Sequence, residues 1–179
     1  MISASAAIDF VLSKEGGLVD NPNDAGGITN YGISLRFLRN LQNPQFYGIH
    51  VESIEPDDIR HLTVEQAKAL YLNEFWNHAP FGKINSQNTV NAVFDHAVNA
   101  GISPAIKCLQ RACWAVMKTK GIPVDDGVLG NITLNIVNQC VFYILPALRA
   151  ERAAYYRALA EKNSEMKVFL EGWLARAYA

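Results

Sequence analysis

The chain has 179 residues, half of them hydrophobic (50%) and 18% charged, with a formal net charge of −1. That length supports one domain with a sizeable core, or two small lobes sharing one, and the hydrophobic share excludes a disordered chain. The near-zero charge supplies no general drive toward nucleic acid or an anionic membrane, so neither nucleic acid nor stable membrane insertion is expected. Cys108, Cys113 and Cys140 form neither a C-x-x-C pair nor an even set, and they read as buried thiols of a protein made in a reducing compartment.

The first residues, MISASAAIDFVLSKEGG, lack a cationic start, and Asp9 interrupts the apolar run, so they do not read as a secretory signal. No window approaches a transmembrane span. Ser3 or Ser5 is placed to cap a first helix, with Ile8, Val11 and Leu12 recurring on one buried face. Glu15 falls on the same stripe. Gly16 and Gly17 are then expected to stop the helix through a left-handed turn. The following VDNPNDAGGITNYG is too rich in Gly, Pro, Asn and Asp for a helix and suits a short hairpin or hooked loop. Ser34 caps LRFLRNLQN, which ends near Pro44, and IEPDDIRHL holds one short helical turn in an irregular stretch.

Thr63 and Gln66 form a capping box that opens a helix running to about Trp76. APFGKINSQN interrupts the helices and is the place to divide the chain, giving a lobe over 1–87 and a helical lobe over 88–179, packed as one compact unit. TVNAVFDHAVNAG reads as a helix with a glycine stop, and Ser103 and Pro104 take the N-cap and N1 places of the next. A turn-rich loop, GIPVDDGVLGN, precedes a short helix near Thr133 to Gln139, and two more cover most of 143–178. The expected fold is mainly α, with a small β-hairpin or loop element after the first helix.

The chemistry suggested by this pattern centres on carboxylates. A carboxylate on an apolar stripe is desolvated, which disfavours its charged form and suits a general acid. A loop folding back over the helix end brings Asp20 or Asp24 to the far side of a cleft from Glu15, and paired carboxylates in unlike environments are the working parts of glycosidic bond cleavage. The competing reading of Glu15 is a solvated group at a frayed helix end, where a negative charge opposes the helix dipole.

Other candidates carry two readings each. Asp20 is a third cleft carboxylate or a turn residue bonding its own backbone. Tyr31 and Trp76 stack on sugars or build core. Asp95 and Asn99, one helical turn apart, line the cleft or share a surface hydrogen bond. Lys107, Arg111 and Lys118 share a helix face that meets the carboxylates of wall peptides or is merely solvated, the second being the commoner case. His50, His61, His78 and His96 are scattered and DDGVLGN lacks the closing glutamate of a calcium loop, while phosphate-loop and serine-elbow motifs do not occur. No metal or cofactor is therefore expected.

The run EGGLVDNPNDAGGITNYGIS resembles the signature of the family 108 glycoside hydrolases, bacterial and phage muramidases with a pattern of roughly E-G-G-[YF]-x-x-x-P-x-D-x-G-G-x-T-x-x-G-I. Glu15, Gly16, Gly17, Pro22, Asp24, Gly26, Gly27, Thr29, Gly32 and Ile33 occupy its fixed places, while Leu18 stands where an aromatic is usual. TVEQAKALYLNEFW is similar to the family's next helix. VFDHAVNAGISPAIKCLQRA, DDGVLGNITL and FLEGWLARAY are similar to the peptidoglycan-binding region that commonly follows.

The resemblance implies a lysozyme-like fold that hydrolyses the bond between N-acetylmuramic acid and N-acetylglucosamine. It implies Glu15 as the acid that protonates the leaving oxygen and peptidoglycan glycan strands as the partner. Asp24 is the second carboxylate, at a spacing from Glu15 similar to the E-x8-D of T4-type phage lysozymes. Those enzymes hold a threonine after five intervening residues, as D-x5-T; here Thr29 follows Asp24 after four, one place early, and Asn30 stands at that place. Thr29, Asn30 and Asp24 all remain candidates for holding the water, and Asp20, Tyr31, Trp76, Asp95 and Asn99 for binding substrate.

Two other functions fit the same residues: a lytic transglycosylase, which needs no water-activating partner, and a non-catalytic peptidoglycan-binding accessory for export. The expected route is synthesis in the bacterial cytoplasm without a signal peptide and action at the cell wall or periplasm, after release by a holin or a dedicated secretion route.

Overall fold

The computed structural model describes residues 1–20, 27–49 and 52–179. The fold is mainly α with one small hairpin: α1 (Ala4–Lys14), β1 (Thr29–Asn30), β2 (Ile33–Ser34), α2 (Leu35–Arg39), α3 (Pro56–Arg60), α4 (Val64–Glu74), α5 (Gln87–Ala100), α6 (Ile102–Met117), α7 (Asn131–Gln139), α8 (Val141–Lys162) and α9 (Leu170–Tyr178). Short 3-10 turns at Pro44–Tyr47, Trp76–His78, Phe81–Lys83 and Ser164–Phe169 join them.

Local chemistry explains most of the boundaries. Ser3 caps α1 by accepting from the Ala6 amide, Ser34 caps α2 from the Phe37 amide, and Thr63 with Gln66 closes the expected capping box on α4. Gly101, at φ 98°, ends α5 as expected. It is also the N-cap of α6, so Ser103 and Pro104 sit inside the first turn of that helix rather than before it.

α5 is the central element. Its Val90, Val93, Phe94 and Ala97 are buried, and it packs against α1 on one side and α6 and α8 on the other. Each large apolar side chain so buried contributes about 1.5–3 kcal/mol relative to exposure. One continuous core runs from Ala7 in α1 to Leu148 in α8, so the N- and C-terminal parts share a single interior. α9 lies on α8 through a smaller cluster of Ala153, Tyr156 and Ala177, in which Trp173 stacks on Tyr156 with ring centroids 5.3 Å apart.

Cys108 and Cys113 are buried free thiols and Cys140 is partly exposed. Burial pushes the Cys108 thiol up to about 11 and the Cys113 thiol up to about 12, which keeps both protonated near neutral pH. Arg111 pairs with Asp125 at 2.9 Å and Lys118 lies beyond the end of α6, so the three-residue basic stripe does not form as one free face. No single helix among the described residues is long and apolar enough to cross a membrane.

Candidate active site

The site forms where α1 ends. Glu15 is the C-cap of that helix, with φ −78° and ψ 136°, and its amide still donates to the Val11 carbonyl. The chain therefore leaves α1 in an extended conformation. Neither Gly16 nor Gly17 takes a positive φ, so the expected left-handed glycine stop is not used. The helix instead yields one residue earlier, at the carboxylate itself.

Opposite Glu15 stands the tip of the hairpin. Thr29 pairs with Ser34 and Asn30 with Ile33, leaving Tyr31 and Gly32 as the two turn residues, at φ 51° and 77°. Positive φ at both central positions is the mark of a type I′ turn, whose twist matches a two-residue hairpin. Gly32 also touches the carboxylate. A Cβ there would lie 2.7 Å from Glu15 Cδ and 2.5 Å from Tyr71 Oη, closer than real contacts allow. The Tyr71 hydroxyl donates to the Tyr31 carbonyl at 2.8 Å and fixes the turn to α4. Burial, with the Glu15 charge adding to it and Arg176 opposing, pushes the Tyr71 phenol far above its ordinary range, so it remains a donor.

Arg176 of α9 completes the site. Its Nη2 lies 2.7 Å from Glu15 Oε1 and 2.8 Å from Asp95 Oδ1, and its Nε donates to the same Asp95 oxygen at 3.0 Å. With its amide turned so that the oxygen faces the guanidinium, Asn99 accepts from Arg176 Nη1 at 2.8 Å. Burial opposes the Arg176 charge, but the hydrogen bonds and charges of Asp95 and Glu15 outweigh it and hold the guanidinium protonated. The other Asp95 oxygen, Oδ2, accepts from Arg152 Nη2, and Arg152 Nε donates to His96 Nδ1 at 3.2 Å. Burial first, then the charges of Arg152 and Arg176, push His96 down to about 3, so it stays neutral and can accept that bond. A chain of polar contacts thus runs from the α5–α8 interface to the carboxylate of Glu15.

Above Glu15 opens a cleft of about 570 Å³, lined among others by Lys14, Gly32, Asn99, Trp173 and Arg176. The Glu15 side chain is 19% exposed. A large polar substrate can therefore reach a carboxylate that is otherwise enclosed, which is the arrangement a proton donor to a chain polymer needs.

Of the residues singled out from the sequence, Glu15 and Asn99 line this cleft. Asp95 lies beneath it with its side chain 0% exposed and both oxygens engaged, so its place is structural support rather than a sugar contact. Asp20 pairs with Arg60 at 2.7 Å on the surface and is not among the residues that line this cleft. The Asn30 amide is buried and donates to the Ile59 carbonyl at 3.0 Å, tying the hairpin to α3. Thr29 turns its hydroxyl to the Gly27 carbonyl at 3.2 Å. Trp76 packs on Phe81 and Phe94, with centroids 5.7 and 5.4 Å away, and Tyr31 is partly buried against the same core. Asp24, with Pro22, Gly26 and His50, lies outside the described residues.

Sequence reasoning missed Arg176, Arg152 and Trp173. The one available signal was the amphipathic FLEGWLARAY, where Trp173 and Arg176 stand three residues apart and so share a helix face.

Residues 8–101 match the family model for glycosyl hydrolase 108, and residues 104–178 match a predicted peptidoglycan domain. The two matches meet at the α5–α6 junction, one helix beyond the 87/88 division read from the sequence. The solved structure of SagA from Brucella abortus is similar over 98% of this chain and 96% of that one, at 26% identity and a TM-score of 0.66. No curated protein matches. With the first match spanning more than half of the chain and the peptidoglycan domain following in order, this chain belongs to the glycosyl hydrolase 108 family and is a peptidoglycan hydrolase.

Proposed function

We propose that the protein is a muramidase, hydrolysing the β-1,4 bond between N-acetylmuramic acid and N-acetylglucosamine, with Glu15 as general acid. The observation that carries this reading is the placement of Glu15: an enclosed carboxylate at the floor of a cleft of about 570 Å³, pressed against a glycine turn. In the reaction, the Glu15 proton passes to the glycosidic oxygen as the C1–O bond breaks. A water then adds hydroxide to C1, and its remaining proton goes to a base. We assign that base to Asp24 on its motif position, and the engagement of the Thr29 hydroxyl and the Asn30 amide by backbone carbonyls supports this choice over those two. Because peptidoglycan lies outside the cytoplasm, the proposed activity takes place at the wall.

Purified peptidoglycan digested with the full-length protein and with Glu15→Gln tests this reading. The amide keeps the shape of the carboxyl but cannot deliver a proton, so turnover is expected to fall at least ~10²-fold with the fold intact. The wild-type digest should yield new reducing ends on N-acetylmuramic acid. Reducing ends on N-acetylglucosamine, or near-normal turnover in Glu15→Gln, would contradict the assignment.

A further inference from the structure

We propose that Arg176 is a positioning residue for Glu15, so that the C-terminal segment supplies part of the catalytic site instead of serving only to hold the wall. The proposal rests on the assignment of Glu15 as general acid. Arg176 belongs to the segment matched to the peptidoglycan domain, yet its guanidinium bonds Glu15 at the end of α1 and Asp95 and Asn99 on α5. Three acceptors from two elements surround one planar fork, which leaves the group a single orientation.

The fork is itself held from behind. Asp95 is fixed by Arg152, and Arg152 by His96, all three of them buried. On the surface side, Trp173 stacks on Tyr156 and sets the rotation of α9 that aims Arg176 at the cleft. The bond to Glu15 falls on Oε1, while Oε2 accepts no hydrogen bond from a described residue. Arg176 thus tethers one oxygen of the carboxyl and limits its rotation. Gly32 closes the remaining side, since its missing Cβ is what allows the turn to rest on the Glu15 side chain. Docking of α9 is already served by its apolar cluster on α8 and by the bond to buried Asp95. The additional bond to a residue open to the cleft is what indicates a role in the reaction.

The test uses the full-length chain on soluble glycan fragments of peptidoglycan, with Arg176→Ala, Arg176→Lys and Glu15→Gln measured beside wild type. In Arg176→Ala, kcat is expected to fall about 10- to 100-fold through loss of orientation, with KM within about threefold because the cleft walls remain. Added methylguanidinium should enter the vacated space, which opens on the cleft, and restore part of kcat. Arg176→Lys keeps the charge without the fork and should lie between the two. A folded Arg176→Ala with wild-type kcat overturns the proposal, as does a loss of rate that only tracks the unfolded fraction and is not rescued. Should Arg176→Ala not fold, Arg176→Lys decides: lowered kcat at normal KM upholds the proposal and unchanged kcat overturns it. An active Glu15→Gln removes the underlying reading and the proposal with it, whereas an inactive Glu15→Gln beside a fully active Arg176→Ala overturns the proposal alone.

Discussion

The two walls of the cleft hold Glu15 by different physics. The hairpin wall works by backbone geometry and close contact: a two-residue turn at positive φ, a glycine with no room for a methyl, and a tyrosine hydroxyl on a turn carbonyl. The α9 wall works by charge, through a guanidinium that reaches Glu15 from 161 residues away and is backed by a buried ion pair. Geometry of the first kind breaks when an atom is added. A charged network of the second kind breaks when a partner is removed, because the group left behind is buried without compensation.

The largest stability effect therefore belongs to the charged wall. Asp95→Ala strands Arg152, whose side chain is 1% exposed, and is expected to destabilise the fold by about 3–5 kcal/mol in denaturant unfolding. A loss below about 1 kcal/mol would place this pair among surface-like bridges and dissolve the contrast. Gly32→Ala probes the other wall. It adds a methyl where 2.5 Å separates it from Tyr71 Oη and forces a non-glycine residue to φ 77°. A cost of about 1–3 kcal/mol is expected, together with a rate loss of about 10²-fold from displacing Glu15. Stability lost without rate would mean that the turn does not position the carboxylate.

His96 sharpens the charged side through pH. Its folded value of about 3 lies below the ordinary 6.5, so below pH 6.5 the unfolded chain takes up a proton that the folded chain refuses. Stability then falls as pH drops from about 6.5 toward about 3, by up to ~1.4 kcal/mol per pH unit from this group. His96→Asn should flatten that slope in acid unfolding curves, and an unchanged slope would exclude His96 as its source. The smallest effect is expected at Asp20, an exposed partner of Arg60 with half its side chain in solvent. Asp20→Asn should change stability by less than about 1 kcal/mol and leave turnover near wild type; a large rate loss would return Asp20 to the site.

The same contrast explains what was legible in the sequence. Caps at Ser3, Ser34 and Thr63, the glycine stop at Gly101 and the hairpin after the first helix were all readable, because each depends on neighbours within a few residues. The place of Glu15 at the cleft was readable for a related reason, since it lies on an apolar stripe just before a turn-rich run. Its helix end was not, because the chain extends at Glu15 where two glycines favoured a left-handed turn. Asp95 was found but misplaced, since periodicity puts a residue on a face without saying what that face meets. Arg176 left only one local trace, its place three residues from Trp173 on a shared helix face. Its role comes from the way α9 folds back over α8, and no spacing in the chain encodes a contact of that range.

Digestion of purified peptidoglycan in 18O-labelled water, followed by mass spectrometry of the released fragments, tests the central claim most directly. If Glu15 protonates the leaving oxygen and a water attacks C1, each cut leaves one 18O on the new reducing end of N-acetylmuramic acid. Unlabelled 1,6-anhydro ends, lighter by one water, would contradict hydrolysis and show that the sugar's own hydroxyl had closed the ring.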